Sequence, residues 1–195
     1  VSDGAIRFAL CAIKSIGRPV VESIIEERKL GGRFKTLTDF IERMGGKDVN
    51  KRVVENLIKA GALDSLGGNR QQFMIAYAGI MDGVAQSQKT MMTGQLSLFD
   101  LVGEEEKESF QTKLPDVDEY PKELKLSFEK EVLGVYVSGH PLEEYMDRWK
   151  KNITAVTTDF ALDEESGAVK VHDGESVVIG GMITGKTIKY TKNNK

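Results

Sequence analysis

Val20, Val21, Ile24 and Ile25 recur at helical spacing behind Pro19, with Glu22, Glu26, Glu27 and Arg28 between them. The pattern predicts an amphipathic helix that starts near Pro19 and is stopped by Gly31 and Gly32. Thr36 or Thr38 offers a cap for a second short helix carrying Phe40, Ile41 and Met44, closed by Gly45 and Gly46. From about Val49 a third helix places Val53, Val54, Leu57, Ile58 and Ala60 on one face, with Gly61 as its stop. After a turn from Ala62 to Gly68, Asn69 is placed to cap a fourth helix through Phe73, Ile75, Ala76, Tyr77 and Ile80. The first 82 residues therefore read as short helices joined by Gly-bearing turns.

The periodicity stops at Gly83. Up to about residue 115, Gln, Ser, Thr and the acidic run Glu104, Glu105, Glu106 and Glu108 predict a flexible connector. One apolar island, Leu96, Leu98 and Phe99, interrupts it. Pro121 then opens a helix through Leu124, Leu126, Phe128, Val132 and Leu133, ending near Gly134. A short amphipathic piece with Tyr145, Met146 and Trp149 follows, so that residues 116–152 read as a helical bridge. Beyond it, in residues 153–195, the β-rich runs Ser176 to Thr184 and Lys186 to Thr191, separated by Gly185, predict strands, and Lys192 to Lys195 a hairpin turn. The expected class is mainly α with a truncated β piece at the C-terminal end.

Composition narrows the classes. With 195 residues, 40% of them hydrophobic and 29% charged, the chain matches neither a disordered nor a membrane-embedded protein. No apolar run approaches the roughly 18 residues of a membrane span. The single cysteine, Cys11, excludes disulfide scaffolds and Cys-rich zinc sites and suits a reducing compartment. The chain begins at Val1 with neither an initiator Met nor a signal peptide, which leads us to expect a piece of something longer. The net charge of −3 hides an asymmetry: residues 1–80 carry +4, residues 81–150 carry −7, and residues 151–195 are neutral. A polyanion partner at the basic N-terminal end is compatible with that distribution, as are solvated helices.

An enzyme would need a site. His140 and His172 are the only histidines, no His or Cys pair has metal-ligand spacing, and no phosphate loop, nucleophile elbow or dinucleotide fingerprint occurs. No catalytic residue, metal ligand or cofactor site is assigned. Binding signals are better. Lys14, Ser15, Ile16, Gly17 and Arg18, leading into Pro19 and an apolar helix, have the form of a helix-hairpin-helix turn, whose backbone N–H groups attract phosphate. Leu66, Gly67, Gly68, Asn69 and Arg70 repeat the plan between the third and fourth helices, and Lys51 and Arg52 add charge nearby. Such an arrangement suits sequence-independent contact with duplex DNA. For Gln95, Leu96, Ser97, Leu98 and Phe99 two readings stand: an extended docking peptide with its carboxamide hydrogen-bonded and Leu and Phe in pockets, or an island folded back on the helical module.

The order of these elements resembles the C-terminal half of bacterial replicative DNA polymerase III alpha subunits, of the type with a nucleic-acid-binding OB domain after the helix-hairpin-helix region. The resemblance is carried by Ile6 to Phe8, Ala12 to Gly17, Phe34 to Phe40, Val49 to Arg52 and Lys59 to Gly67. It is most specific in Leu133-Gly134-Val135-Tyr136-Val137-Ser138-Gly139-His140-Pro141-Leu142. Ser15 is a departure, since the family commonly has Gly there.

The resemblance implies tandem helix-hairpin-helix turns that hold duplex DNA and a grip on the sliding clamp through Gln95 to Phe99. It further implies an OB barrel opening after Ser176 and other replisome subunits as partners of the longer protein. No membrane is involved, and the location implied is the bacterial cytoplasm, at the nucleoid. The parent reaction would be template-directed nucleotidyl transfer with Mg2+, its carboxylates lying outside this chain. Two alternatives remain: a DNA-repair or recombination scaffold built on the same module, and a translesion relative of the alpha subunit.

Overall fold

Gly17 ends the first turn in an extended conformation (φ −84°, ψ 163°), and Pro19, preset for a helix, follows as the second residue of α1 (Arg18–Gly31). In this computed structural model residues 9–92, 113–162 and 167–189 are described. They fall into two units, one ending at Ser138 and one beginning at Gly139.

In the first unit a 3-10 turn (Leu10–Ala12) precedes α1. Helix α2 (Leu37–Met44) is capped by Thr36, whose Oγ1 accepts from Asp39 N–H at 3.1 Å, which decides between the two candidate threonines. Helix α3 (Lys51–Lys59) is capped in the same way by Asn50. Helix α4 (Arg70–Met92) and helix α5 (Lys122–Leu133) follow among the described residues, with Gly134 in the left-handed conformation (φ 76°) closing α5. Helix α1 packs on α2, α2 and α3 pack on α4, and α5 packs on α3. Their apolar stripes meet in one core in which Val54, Leu57, Ile58, Phe40 and Phe73 are all but sealed from water. At roughly 1.5 to 3 kcal/mol per fully buried large side chain, this core is what holds the short helices together.

Two expectations are corrected here. Residues 83–92, read as the start of a connector, continue α4. Met81 and Val84 pack against the core, and a Cβ on Gly45 would touch Val84 Cγ1 at 3.3 Å and Gln88 Nε2 at 2.6 Å, so the extension is held by α2's end. Residues 113–121, by contrast, are laid on the start of α4: Asn69 Nδ2 donates to Val117 O at 2.9 Å and Gln72 Nε2 to Pro115 O at 2.9 Å.

The second unit holds a 3-10 turn (Glu143–Tyr145), helix α6 (Met146–Asn152) and a further 3-10 turn (Thr157–Phe160). Val178 O accepts from Thr154 N–H at 2.9 Å, Val178 N–H donates to Thr154 Oγ1 at 2.8 Å, and Trp149 Nε1 donates to Gly180 O at 2.9 Å. The strands expected at Ser176 to Thr184 and from Lys186 onward do not form among the described residues. β-propensity is a preference for a half-buried, paired surface. Here Val178, Ile179, Ile183 and Ile188 stay mostly exposed and no second strand lies beside them among the described residues. The hairpin turn expected at Lys192 to Lys195 lies outside the described residues.

Candidate nucleic-acid interface

The first turn is fixed from three sides. Ile13 and Ile16 anchor it in the core at 5% and 6% exposure. Lys14 N–H donates to Val132 O at 2.8 Å, at the end of α5, and Asn56 Nδ2 of α3 donates to Lys14 O at 2.7 Å. Between these anchors Ser15 takes φ 66°, the left-handed conformation in which glycine is at home. The departure from the family's Gly therefore leaves the turn in place, at a cost of about 1 kcal/mol in backbone strain. The N–H groups of Gly17, Arg18 and Val20 have no partner among the described residues. Lys14 and Arg18 are exposed and form no ion pair with a described residue. The donors of Gly17 and Arg18 and the cations of Lys14 and Arg18 thus sit on exposed residues of one turn, while Val20 is buried.

Beside this turn lies an open cleft of about 470 Å3, lined by Lys14, Lys51, Arg52, Glu55, Asn56, Lys59, Glu131 and Val132. Arg52 is exposed without an ion-pair partner among the described residues, while Lys51 pairs with Asp82 at 2.7 Å. Lys59 pairs with Glu55 at 3.0 Å and with Glu131 at 3.0 Å. Burial disfavours the Lys59 ammonium, but the hydrogen bonds it donates to Glu55 and Glu131 outweigh this and raise its pKa above the ordinary lysine value.

The second turn has the same outline and a different electrostatic state. Gly67 is left-handed (φ 79°), Leu66 is buried, and Gly68 packs so closely that a Cβ there would meet the Phe73 ring at 2.5 Å. Four successive N–H groups at the start of α4 are already used. Asn69 N–H donates to Gln72 Oε1, Arg70 N–H to Glu119 Oε2, Gln71 N–H to Glu119 Oε1, and Gln72 N–H to Asn69 Oδ1, at 2.8 to 3.4 Å. A carboxylate of the chain itself stands where a phosphate would be taken.

Arg70, expected to offer charge to DNA, is instead 5% exposed. Its guanidinium pairs with Asp64 at 2.9 Å and with Glu129 at 3.0 Å, and Nη1 reaches Lys59 O at 3.4 Å. Glu129 is fully buried and also accepts from Val137 N–H at 2.7 Å and Ser138 N–H at 2.9 Å. Burial alone would raise its pKa, but the Ser138 and Val137 amides, the Ser138 side chain and Arg70 outweigh that and hold the carboxyl below the usual range. This network joins the second turn, α5 and the first residues of the Val137-Ser138 stretch.

The structure thus brings Lys14, Ser15, Ile16, Gly17 and Arg18 to one turn, with Lys51 and Arg52 by the adjoining cleft, and sets Arg70 apart in the interior. Gln95, Leu96, Ser97, Leu98 and Phe99 lie outside the described residues. Sequence reasoning missed Asn56, Lys59, Glu119, Glu129 and Glu131. The first two had a signal: Lys59 follows Arg52 by two helical turns, and Asn56 is a polar residue set among Val53, Val54, Leu57 and Ile58. Among the described residues no three His, Cys, Asp or Glu side chains converge as metal ligands. No helix among them is long and apolar enough to cross a membrane.

A family model described as helix-hairpin-helix motif matches residues 1–73. Over 97% of its length the chain is 36% identical to a DNA polymerase III subunit alpha of Vibrio cholerae. It is 37% identical to that of Aquifex aeolicus over 98% of its length, and 33% identical to that of Thermus aquaticus over 96%. The chain spans only 16%, 14% and 14% of those relatives.

Proposed function

The chain belongs to the DNA polymerase III alpha subunit family, and from that premise we propose that it is a non-catalytic portion of such a subunit that holds duplex DNA and tethers the polymerase to the sliding clamp. Template-directed, Mg2+-dependent DNA synthesis is the activity proposed for the whole protein, in the bacterial cytoplasm at the nucleoid and alongside other replisome subunits. The observation that carries the DNA-holding role is the first turn: unpartnered N–H groups of Gly17, Arg18 and Val20 flanked by exposed Lys14 and Arg18. Groups of this kind bind phosphates whatever the bases, which is what a subunit moving along any template requires. Residues 176–189 are proposed as the opening of an OB-like domain, their exposed apolar side chains awaiting neighbouring strands.

Clamp tethering is assigned to Gln95 to Phe99, with Gln95 setting register and Leu98 and Phe99 filling an apolar pocket. Burying those two side chains contributes about 1.5 to 3 kcal/mol each before ordering costs, consistent with a Kd on the order of micromolar. DNA held at the same time makes clamp engagement effectively intramolecular, so a modest contact still yields long residence.

The test is fluorescence anisotropy with two duplexes of unrelated sequence and a surface-bound sliding clamp. Equal affinity for both duplexes within about twofold, together with clamp binding abolished by replacing Leu98 and Phe99 with Ala, supports the reading. A chain that binds neither duplex at low salt, or prefers one more than tenfold, overturns the DNA role. Clamp binding that survives the double replacement overturns the tether.

A further inference from the structure

The two turns that look alike in sequence are not equivalent in the folded chain. At the second, the N–H groups of Arg70 and Gln71 are occupied by the Glu119 carboxylate, and those of Asn69 and Gln72 by each other's side chains. The segment bearing Glu119 is seated by two further hydrogen bonds, from Asn69 Nδ2 to Val117 O and from Gln72 Nε2 to Pro115 O. The arginine that sequence placed there is buried between Asp64 and Glu129. A phosphate arriving at this turn meets the Glu119 carboxylate already in position, itself paired with Lys125 at 3.7 Å, and an arginine buried between two carboxylates.

The cleft beside the first turn is the opposite case. Lys14 comes from the turn and Arg52 and Lys59 from α3, and the cleft is open to solvent. Lys14 and Arg52 carry charge that no described residue neutralises, whereas Lys59 is shared between Glu55 and the half-exposed Glu131. A phosphodiester entering the cleft would find two free cations and a third whose exposed counter-ion it can replace. Glu131 sits at the end of α5, next to Val132, whose carbonyl holds the Lys14 amide, so counter-ion and turn are carried by one element.

Resting on the DNA-holding reading above, we propose that the DNA backbone runs through this cleft between the first turn, α3 and the end of α5, with Glu131 as the internal counter-ion a phosphate displaces, and that the second turn takes no phosphate. One composite grip thus stands in place of two symmetric ones. It also makes α5 part of the DNA-binding surface.

The experiment measures duplex affinity against salt for the full chain and three variants: Lys14→Ala with Arg52→Ala, Glu131→Gln, and Ser65→Glu at the exposed second turn. Circular dichroism checks that each is folded, which their surface positions favour. Loss of two phosphate contacts should flatten log K against log salt by about two units, at about 0.9 per phosphate, and weaken binding tenfold or more at low salt. Glu131→Gln should tighten binding several-fold, and Ser65→Glu should leave it within twofold. Weakening by Ser65→Glu as large as that of the cleft variant, or a cleft variant that binds like the unaltered chain, overturns the inference while the DNA-holding reading stands. Unchanged or weaker binding by Glu131→Gln overturns the counter-ion role. If the unaltered chain fails to bind duplex DNA at low salt, both fall together.

Discussion

Glu129→Ala removes the one carboxylate that, among the described residues, is kept wholly out of water. Its loss strips the buried Arg70 guanidinium of a 3.0 Å partner and leaves the Val137 and Ser138 amides without their acceptor. Removing one member of a buried ion pair costs about 3 to 5 kcal/mol, because the remaining charge is left desolvated. Two features place this site at the lower end. Asp64 stays bound to the same guanidinium at 2.9 Å with its own side chain 48% exposed, and Val137 and Ser138 are exposed enough for water to reach their amides. About 3 kcal/mol is therefore expected, a large share of the 5 to 15 kcal/mol by which domains are stable. Urea unfolding followed by far-UV circular dichroism reads it, since α1 to α5 supply most of the helix signal. With m near 2 kcal/mol/M the midpoint should fall by roughly 1.5 M at unchanged m. A fall corresponding to less than about 1 kcal/mol would refute the reasoning, showing that Glu129 is replaceable by water and that the network does not brace the second turn.

The same carboxyl makes a pH prediction. Its folded pKa lies below the ordinary glutamate value, so its contribution is present in full above that ordinary value and is lost as pH falls through the lower folded one. The stability gap between the unaltered chain and Glu129→Ala, measured in urea, should therefore shrink from pH 7 to pH 3. At Gly61 a Cβ would strike the Arg70 guanidinium, and φ is +74°. Gly61→Ala should thus cost about 2 kcal/mol or more, against about 1 for Gly46→Ala, which has the same φ of +74° and open space. Thermal melts compare the two. At Ser15, replacement by Gly relieves strain but loosens the unfolded chain, so stability should stay within about 0.5 kcal/mol and duplex affinity within twofold. Ser15→Val, with a branched side chain at φ 66°, should weaken both.

The helices were legible because each carries its own punctuation. Gly17-Arg18-Pro19 starts α1, Asn50 caps α3 and Gly134 closes α5, all local signals that survive in the fold. The length of α4 was hidden because Gly83 and the polar residues after it look like a linker, whereas Val84 and Gln88 are held by the approach of Gly45, a contact no local pattern encodes. The first turn was legible as a cluster of exposed cations and N–H groups, since Lys14 to Arg18 lie together in the chain. The second was misleading for the same reason that Arg70 was: its character is set by Glu119 and Glu129, which follow Arg70 by 49 and 59 positions. The acidic side chains of Asp116 to Glu129 carry no local signal of a partner, and only the fold shows two of them turned onto Arg70 at α4's start. The strands expected after Ser176 had the right residues and, among those described, no paired neighbour.

The central claim is that this chain grips the DNA backbone by charge, and the salt dependence of duplex binding tests it most directly. Binding of a labelled duplex is to be measured from low to near-physiological salt, with log K plotted against log salt. Lys14, Arg18 and Arg52, with Lys59 freed from Glu131, supply three to four phosphate contacts, so a straight line of slope between about −2.7 and −3.6 is predicted at about 0.9 per contact. A slope near zero, with affinity unmoved by salt, would contradict the account.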